Sequence, residues 1–399
     1  MILKDMAGQF VSKRRAPLIA ALVALVASLP TLFTLPPMDR DESRFAEASA
    51  QMLESGDFTN IMYQSAPRYK KPVGIYWLQA ASVEALSSVE QRRIWAYRVP
   101  SVVGAMVAAG ACAWGALAFL EPLEAALAGA LLAATMVLST EATLATTDAA
   151  LCGAVTLALA ALGRIYLAAR GGPVASGWVR LLFWLGLSAS VLLKGPVGPM
   201  VAALTAICLC LWERKAAWLK GLGWGWGLIL LAALVLPWAL AITVTTDGGF
   251  WGAAIGGDLA PKLAGGQEGH GQPPGYFLAL SPILLFPAIL LAPAALVHGW
   301  RARRQPAIRF ALAWLVPSWI VFELVPTKLP HYTLPTFGAL AWLMASALTQ
   351  PLGALSRRIG AGLLLAVAAG LIAAGAAASA AFGSAASWVW EAALTILLV

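Results

Sequence analysis

Charge is scarce in this sequence. Only 12% of its 399 residues are Asp, Glu, Lys or Arg, about half of what a soluble domain carries. That scarcity excludes an ordinary water-soluble fold. Cysteine is scarce too. Cys112, Cys152, Cys208 and Cys210 sit in apolar runs without metal-ligand spacing, which makes them small core residues. No internal repeat and no long linker is visible. A cleavable leader is also not expected, because the first apolar run ends at Pro36-Pro37 without a small-residue cleavage site. That run reads as a first transmembrane helix with its N-terminus inside.

What the chain has in quantity is apolar sequence, 60% of its residues. Apolar runs of about 18–25 residues recur from end to end, long enough to cross a hydrocarbon core. In lipid such runs must be helical, because an open strand would leave backbone groups unpaired. The expectation is an all-α polytopic transmembrane bundle of about 11–12 spans. Helices are expected near 16–36, 97–119, 124–144, 147–168, 179–193, 196–212, 221–243, 275–298, 309–326, 332–349 and 359–382. Residues 387–399 are short for a further span. Residues 1–399 are expected to form one transmembrane domain with two large outer loops, 37–96 and 245–274, and no separate C-terminal soluble domain is expected. Seventeen Trp suit interfacial anchoring, and the Ala- and Gly-rich runs suit close helix packing.

The net charge of +8 suggests nucleic acid until its distribution is considered. With the N-terminus inside, 16 of the 27 Lys and Arg fall in inside loops, beside only Asp5, Glu121, Glu124 and Glu213. Lys4, Lys13, Arg14 and Arg15 begin that set, and Arg357 and Arg358 end it. The positive-inside rule accounts for the excess, so nucleic-acid binding is not expected.

The same topology gathers the chemically capable residues on the outer side: Asp41, Glu42, Arg68, Lys71, Asp148, Lys194, His270, Lys328 and His331. Charges near membrane depth are costly, and are paired, solvated or functional. Residues 43–53 and the segment after Pro72 read as two amphipathic helices on the membrane surface. They would hold Asp41-Glu42 and the Arg68–Lys71 cluster at the mouth of the bundle; an ordinary solvated loop is the plain alternative. Asp148, in TTDAAL, suits a helix N-cap as well as a site. Lys194, in LLKGPVG, is a cation against the topogenic trend, and snorkelling is its plain alternative. Pro326, Pro330 and Pro335 stiffen the turn carrying Lys328, His331 and Tyr332, an anion-site pattern. Glu268 and His270 share a Gly-rich loop, but one Glu and one His make a weak metal pattern.

These segments together resemble a known family. DRDESRFAEASAQMLESGDF, then RYKKP and IYWLQA, resemble the first periplasmic loop of the aminoarabinose transferases of lipid A. They are also similar to the wider protein O-mannosyltransferase group, built on the GT-C glycosyltransferase fold. TTDAAL, LLKGPVG, HGQPPGYF and KLPHYTLP follow in the family's order, so the likeness spans about residues 15–350.

The resemblance implies a sugar carried on a polyprenyl phosphate and transferred, with inversion, to a lipid, polysaccharide or protein outside the cytoplasm. It implies a bacterial inner-membrane protein with a periplasmic site. Asp41 matches the acidic residue at the reaction centre. Arg44, Lys71, Asp148, Lys194, His331 and Tyr332 match positions lining the cavity or contacting the lipid phosphate. Where many members have a Glu before the lysine, this chain has Lys70. In some members that Glu helps to bind a metal ion, so no metal ligand is assigned, support for a divalent metal is weak, and no other cofactor is expected. The aminoarabinose transferases also carry a further C-terminal periplasmic domain, which is not carried over.

The catalytic candidates are thus Asp41, Glu42 and Asp148. The candidates for lipid phosphate and sugar are Arg44, Arg68, Tyr69, Lys71, Lys194, His270, Lys328, His331 and Tyr332. A phosphate leaving group needs cations more than a proton donor, and a hydroxyl acceptor needs a base, for which Asp41 stands. The alternative reading is a secondary transporter or lipid flippase. It would call for repeats and for polar residues near the bilayer centre, whereas here they are one-sided.

Overall fold

The computed structural model describes residues 11–267, 269–383, 387, 392 and 395. Lys4, Asp5 and Glu268 lie outside the described residues, as does most of the 387–399 stretch. Among the described residues the regular structure is helical, apart from one two-stranded ribbon. In order, the helices are α1 Arg15–Leu32, α2 Arg40–Ser55, α3 Gly74–Leu86, α4 Ile94–Ala116, α5 Pro122–Ala133, α6 Met136–Glu141 and α7 Asp148–Ala168. They continue as α8 Gly177–Lys194, α9 Val197–Glu213, α10 Trp224–Thr245, α11 Gly249–Trp251, α12 Ala260–Ala264 and α13 Tyr276–Leu284. The last four are α14 Ala292–Ala302, α15 Pro306–Leu324, α16 Phe337–Ala347 and α17 Ala354–Phe382.

Among the described residues, seven helices are long and apolar enough to cross a membrane singly: α1, α4, α7, α8, α10, α15 and α17. An eighth span results if α13 and the segment through α14, bent by 114°, count as one. This is a multi-pass membrane protein. Three expected runs are interrupted. The 124–144 run breaks between α5 and α6, 275–298 bends, and 332–349 begins as a 3-10 turn, Pro330–Thr336, before α16. Prolines explain two of these interruptions: Pro287 stands at the bend, and Pro330 and Pro335 lie in the turn, where each lacks the amide that a continuous helix needs.

α7 is the axis. It is the most enclosed of the long helices, whereas α10 and α17 turn most of their surface outward. Small residues let α4 come against it. A Cβ added to Gly104 would lie 2.4 Å from the Ala150 Cα, and one on Gly153 would lie 2.5 Å from the Gly104 carbonyl. Backbone-to-backbone contact of this kind is how helices pack tightly without a hydrophobic drive. On its far side α7 meets the turn before α16. That turn is pinned by the Trp314 indole, which donates to the Pro335 carbonyl at 3.0 Å. All four cysteines are free thiols, two of them buried.

The first long connection folds over one end of the bundle. The Asp39 carboxylate accepts from the Asp41 amide and caps α2. Gly56, at φ 69°, ends α2 in the left-handed region. α2 is amphipathic, burying Phe45, Ala48, Ser49 and Met52. α3 is apolar on two faces: it buries Ile75, Tyr76 and Val83 while Trp77 and Leu78 stay exposed. Between them, β1 Met62–Tyr63 pairs antiparallel with β2 Ala66–Pro67 and leads into Arg68. The second long connection contains a π-helical stretch, Gly252–Leu259, and α12. It is tied to the turn before α16: the Gln272 amide donates to the Pro326 carbonyl at 3.1 Å, and the Lys328 amide to the His270 carbonyl at 2.9 Å.

Candidate active site

The two connections, the start of α7 and the end of α8 enclose a cavity of about 210 Å³. α2 and its cap bring Asp39, Arg40, Asp41 and Phe45, and the β-ribbon exit brings Arg68, Lys70 and Lys71. Thr146 and Thr147 lead into α7, which begins at Asp148, and α8 ends on Lys194. The remaining wall is Lys262, Gln267, His270, Thr327, Leu329, His331 and Tyr332. Helix ends hold most of these groups, so rigid elements fix them at the rim of the apolar bundle.

Asp41 is the half-open carboxylate of this cavity. Its Oδ1 lies 3.3 Å from Arg44 and 3.5 Å from Arg68. Arg68 is buried, and its guanidinium lies 4.9 Å from the centre of the Phe45 ring. A second charge cluster lines the same cavity. The Lys194 ammonium bonds to Asp148 Oδ1 and lies 4.8 Å over the Tyr332 ring. His331 places Nδ1 2.9 Å from Glu141 and Nε2 3.5 Å from Asp148. A third cluster joins the loops: Asp258 lies 3.5 Å from Lys71 and 2.6 Å from Lys262.

Burial and neighbours set the charges. Lys71 is lowered to about 8, first by burial and then by the ammoniums of Lys194 and Lys262, against the pull of Asp258 and Asp148. Burial would raise Asp258, but Lys71 and Lys262 outweigh it and hold the carboxyl below its usual range. Burial would lower the His331 ring, but Asp148 and Glu141 outweigh it and raise its pKa. Tyr332 is raised, chiefly by burial, and stays a phenol.

Of the residues singled out from sequence, Asp41, Arg68, Lys71, Asp148, Lys194, His270, His331 and Tyr332 line this one cavity. Four others point elsewhere. Glu42 is fully buried: its Oε1 accepts from Arg98 at 2.7 Å and from the Ala145 amide at 2.9 Å, and its Oε2 accepts from the Met38 amide. That carboxylate is consumed by the fold and cannot meet a substrate, which corrects its listing among catalytic groups. Lys328 is corrected likewise, since its buried ammonium donates to the Gln272 and Val325 carbonyls at 2.8 and 2.7 Å. Tyr69 donates to Asn60 at 2.8 Å and packs edge-on against Phe250. Arg44 reaches the cavity only through Asp41.

Sequence reasoning missed Glu141, Asp258 and Lys262. Glu141 is a buried acid within an apolar run, which was signal enough. Asp258 and Lys262 stand four apart on a helix, a weaker sign.

The residues do not fit a divalent ion. Among the described residues one group of three donors converges within 4.8 Å: Glu141, Asp148 and His331. There both imidazole nitrogens already face carboxylates, and a lysine ammonium occupies Asp148. That is the geometry of ion pairs, with no ring nitrogen left for a metal.

Comparison with known proteins agrees with this architecture. Residues 13–250 match the family described as dolichyl-phosphate-mannose-protein mannosyltransferase. An undecaprenyl phosphate-alpha-4-amino-4-deoxy-L-arabinose arabinosyl transferase of Pseudomonas paraeruginosa is 31% identical over 333 residues, covering 80% of this chain and 58% of its own length. Its counterpart in Aeromonas salmonicida is 28% identical over 79% of this chain and 58% of its own. The chain thus spans under two thirds of the length of these relatives. Among solved structures, ArnT from Cupriavidus metallidurans bound to undecaprenyl phosphate superposes with a TM-score of 0.78 at 22% identity, covering 96% of this chain and 69% of that one. The Archaeoglobus fulgidus oligosaccharyltransferase superposes more loosely, with a TM-score of 0.56 at 12% identity over 96% of this chain and 55% of that one. The match over most of the chain and the shared helical architecture make this protein a member of the dolichyl-phosphate-mannose-protein mannosyltransferase family, built on the GT-C fold.

Proposed function

We propose that this protein is a membrane glycosyltransferase that takes a sugar from a polyprenyl phosphate and gives it, with inversion, to an acceptor in the periplasm. The observation that supports the reading is the gathering of charge in one cavity. Lys71, Lys194 and Lys262 line it together with the half-open carboxylate of Asp41, among helices apolar enough to cross a membrane. A lipid-borne phosphodiester suits that site, since its tail can remain in the bilayer while its headgroup meets the lysines.

The chemistry follows from the donor. The acceptor oxygen forms a bond to the anomeric carbon as the carbon–oxygen bond to phosphate breaks. The phosphate keeps the bonding electron pair and leaves as a monoester of higher negative charge. Lys71 and Lys194 stabilise that gain in charge, which is stronger in the transition state than in the donor. Asp41 takes the acceptor proton when the acceptor is a hydroxyl. With a phosphate acceptor, Asp41 instead orients it and stabilises positive charge on the sugar ring.

The relatives' names supply the carrier, undecaprenyl phosphate, and one sugar, 4-amino-4-deoxy-L-arabinose, as first substrates to try. Lipid A, another lipid, a polysaccharide and a protein are the acceptor classes. The proposed setting is the bacterial inner membrane, with the N-terminus in the cytoplasm. The test is to incubate the purified chain in liposomes with radiolabelled undecaprenyl-phosphate sugars and envelope extracts, and to follow the label. Transfer that requires the chain and Asp41 supports the reading. Label that stays on the carrier with every sugar and extract counts against it.

A further inference from the structure

Behind the Lys194–Asp148 pair lies a second carboxylate that the proposed chemistry does not use. Glu141, at the end of α6, is buried. Its Oε2 accepts from the Thr146 hydroxyl at 3.1 Å, and its Oε1 faces His331 Nδ1 at 2.9 Å. The other ring nitrogen lies 3.5 Å from Asp148 Oδ2, which also receives the Thr147 hydroxyl at 3.4 Å. One imidazole thus stands between two carboxylates from two different helices. A neutral ring has one N–H and can donate to only one of them, whereas an imidazolium donates to both.

Electrostatics points the same way. Without a charged ring, Glu141 and Asp148 would face Lys194 alone, leaving the group at net −1 where a phosphate has to approach. With the ring charged, the two carboxylates are balanced by two cations. Two buried like charges with one counter-ion are costly.

We propose that His331 is held as an imidazolium by Glu141 and Asp148, and that this second cation balances the second carboxylate, so that the Lys194 ammonium, while bonded to Asp148, can also hold the phosphate of a polyprenyl carrier. Glu141 is then a positioning residue. It touches no substrate; it keeps the ring charged and fixes its tilt. The inference rests on the phosphate-carrier reading of the cavity, but the ring's charge state can be measured without any ligand.

Three kinds of group face the ring: Glu141 from α6, Asp148 from α7 and Lys194 from α8, with Tyr332 beside it on its own turn at a ring separation of 5.3 Å. The two acids favour the proton and the lysine opposes it. The raised pKa of His331 agrees with the acids prevailing. Lys71, across the cavity, titrates near 8 and would also weaken phosphate binding at alkaline pH, so a pH profile of binding alone does not isolate the ring.

The deciding experiment uses the purified chain with ring-labelled histidine in detergent micelles. The sequence has three histidines, and the His331 signal is the one lost in His331→Gln. Its titration is expected above that of free imidazole, held up by the two carboxylates. Glu141→Gln should shift it down, and Glu141→Asp should restore it. A ring that titrates at or below the free value, or that ignores Glu141→Gln, overturns the proposal.

A second arm measures affinity for undecaprenyl phosphate at pH 7. His331→Gln should lose about tenfold, since one cation is gone from a two-anion cluster. Adding Glu141→Gln to that variant should recover most of the loss, because the charges balance again. A double variant as weak as His331→Gln alone would make the ring's part structural and overturn the charge-balancing role. Absence of binding by the unaltered chain would sink the carrier reading instead, while the titration still decides whether the ring is charged.

Discussion

Asp41 and Glu42 are neighbours at the start of α2, and their carboxylates go opposite ways. Asp41 is 44% exposed at its side chain and faces the cavity beside Arg68, whereas Glu42 is fully buried against Arg98. Arg98 completes the buried knot by donating to the carbonyls of Leu32, Leu35 and Pro36. Glu42 thus fastens the first long connection to α1 and α4, and Asp41 is the residue proposed to supply the chemistry. The two substitutions should separate cleanly.

Glu42→Gln is expected to destabilise the protein by about 3–5 kcal/mol, because it strands a buried guanidinium. Arg98→Met should do the same from the other side. Thermal unfolding of the purified chain in one detergent reads this directly. A midpoint unchanged from the parent protein in both variants would remove the pair from the fold's supports.

Asp41→Asn should leave that unfolding midpoint nearly unchanged, since Asp41 makes only half-open contacts. Transfer should fall by about 10²–10⁴-fold if the carboxylate acts as base. Near-normal turnover by a folded Asp41→Asn protein would remove it from the mechanism.

Lys71 makes a pH prediction. Its charge is present below its lowered pKa of about 8 and absent above it. Affinity for an undecaprenyl-phosphate donor should therefore fall as pH rises through about 8. A bound phosphate favours the charged form, so the limb should lie at higher pH in the complex than in the free protein. Asp258→Asn removes an anion that supports the charge and should move the limb downward. For stability the sign is the reverse. A lysine with a depressed folded pKa binds fewer protons than in the unfolded chain between about 8 and its ordinary 10.5, so stability gains from this group as pH rises through that window. A donor KM that stays flat between pH 7 and 9 would be the contrary result.

Lys194→Ala is expected to weaken donor binding more than it slows the bound complex, appearing mainly in KM. It also leaves Asp148 without its ammonium partner, so Lys194→Ala/Asp148→Asn should bind better than Lys194→Ala alone. Equal saturation by the single variant and the parent protein would argue against a phosphate contact.

Gly104→Leu tests the frame that carries Asp148. A side chain there meets the α7 backbone at Ala150 within 2.4 Å from its first carbon, so α4 and α7 must part. Overpacking of this kind costs about 1–3 kcal/mol or more, and both the unfolding midpoint and donor affinity should fall.

Apolar length and the helices of the first long connection were legible in the sequence, because they depend on local composition. The helices around Arg40–Ser55 and Gly74–Leu86 were foreseen for the same reason: a cap, an ending glycine and spacing are local signals. Which of two adjacent acids would turn inward was not. That choice depends on Arg98, 56 positions further on, and nothing near Glu42 in the chain announces it. Lys328 shows the same limit. It resembles a free cation on a stiff outer turn until two backbone carbonyls, one of them from Gln272 in another loop, capture its ammonium.

The sequence by itself determined that this chain is a helical membrane protein and named most of its candidate site residues, since hydropathy and charges near membrane depth stand out in local composition. Only the tertiary structure decided which of those residues share a cavity and with which charge partners. Pairing among Glu141, His331, Asp148 and Lys194 draws on three helices and a turn whose approach is set by packing around α7, and contacts between segments distant in the chain leave no periodic mark in it.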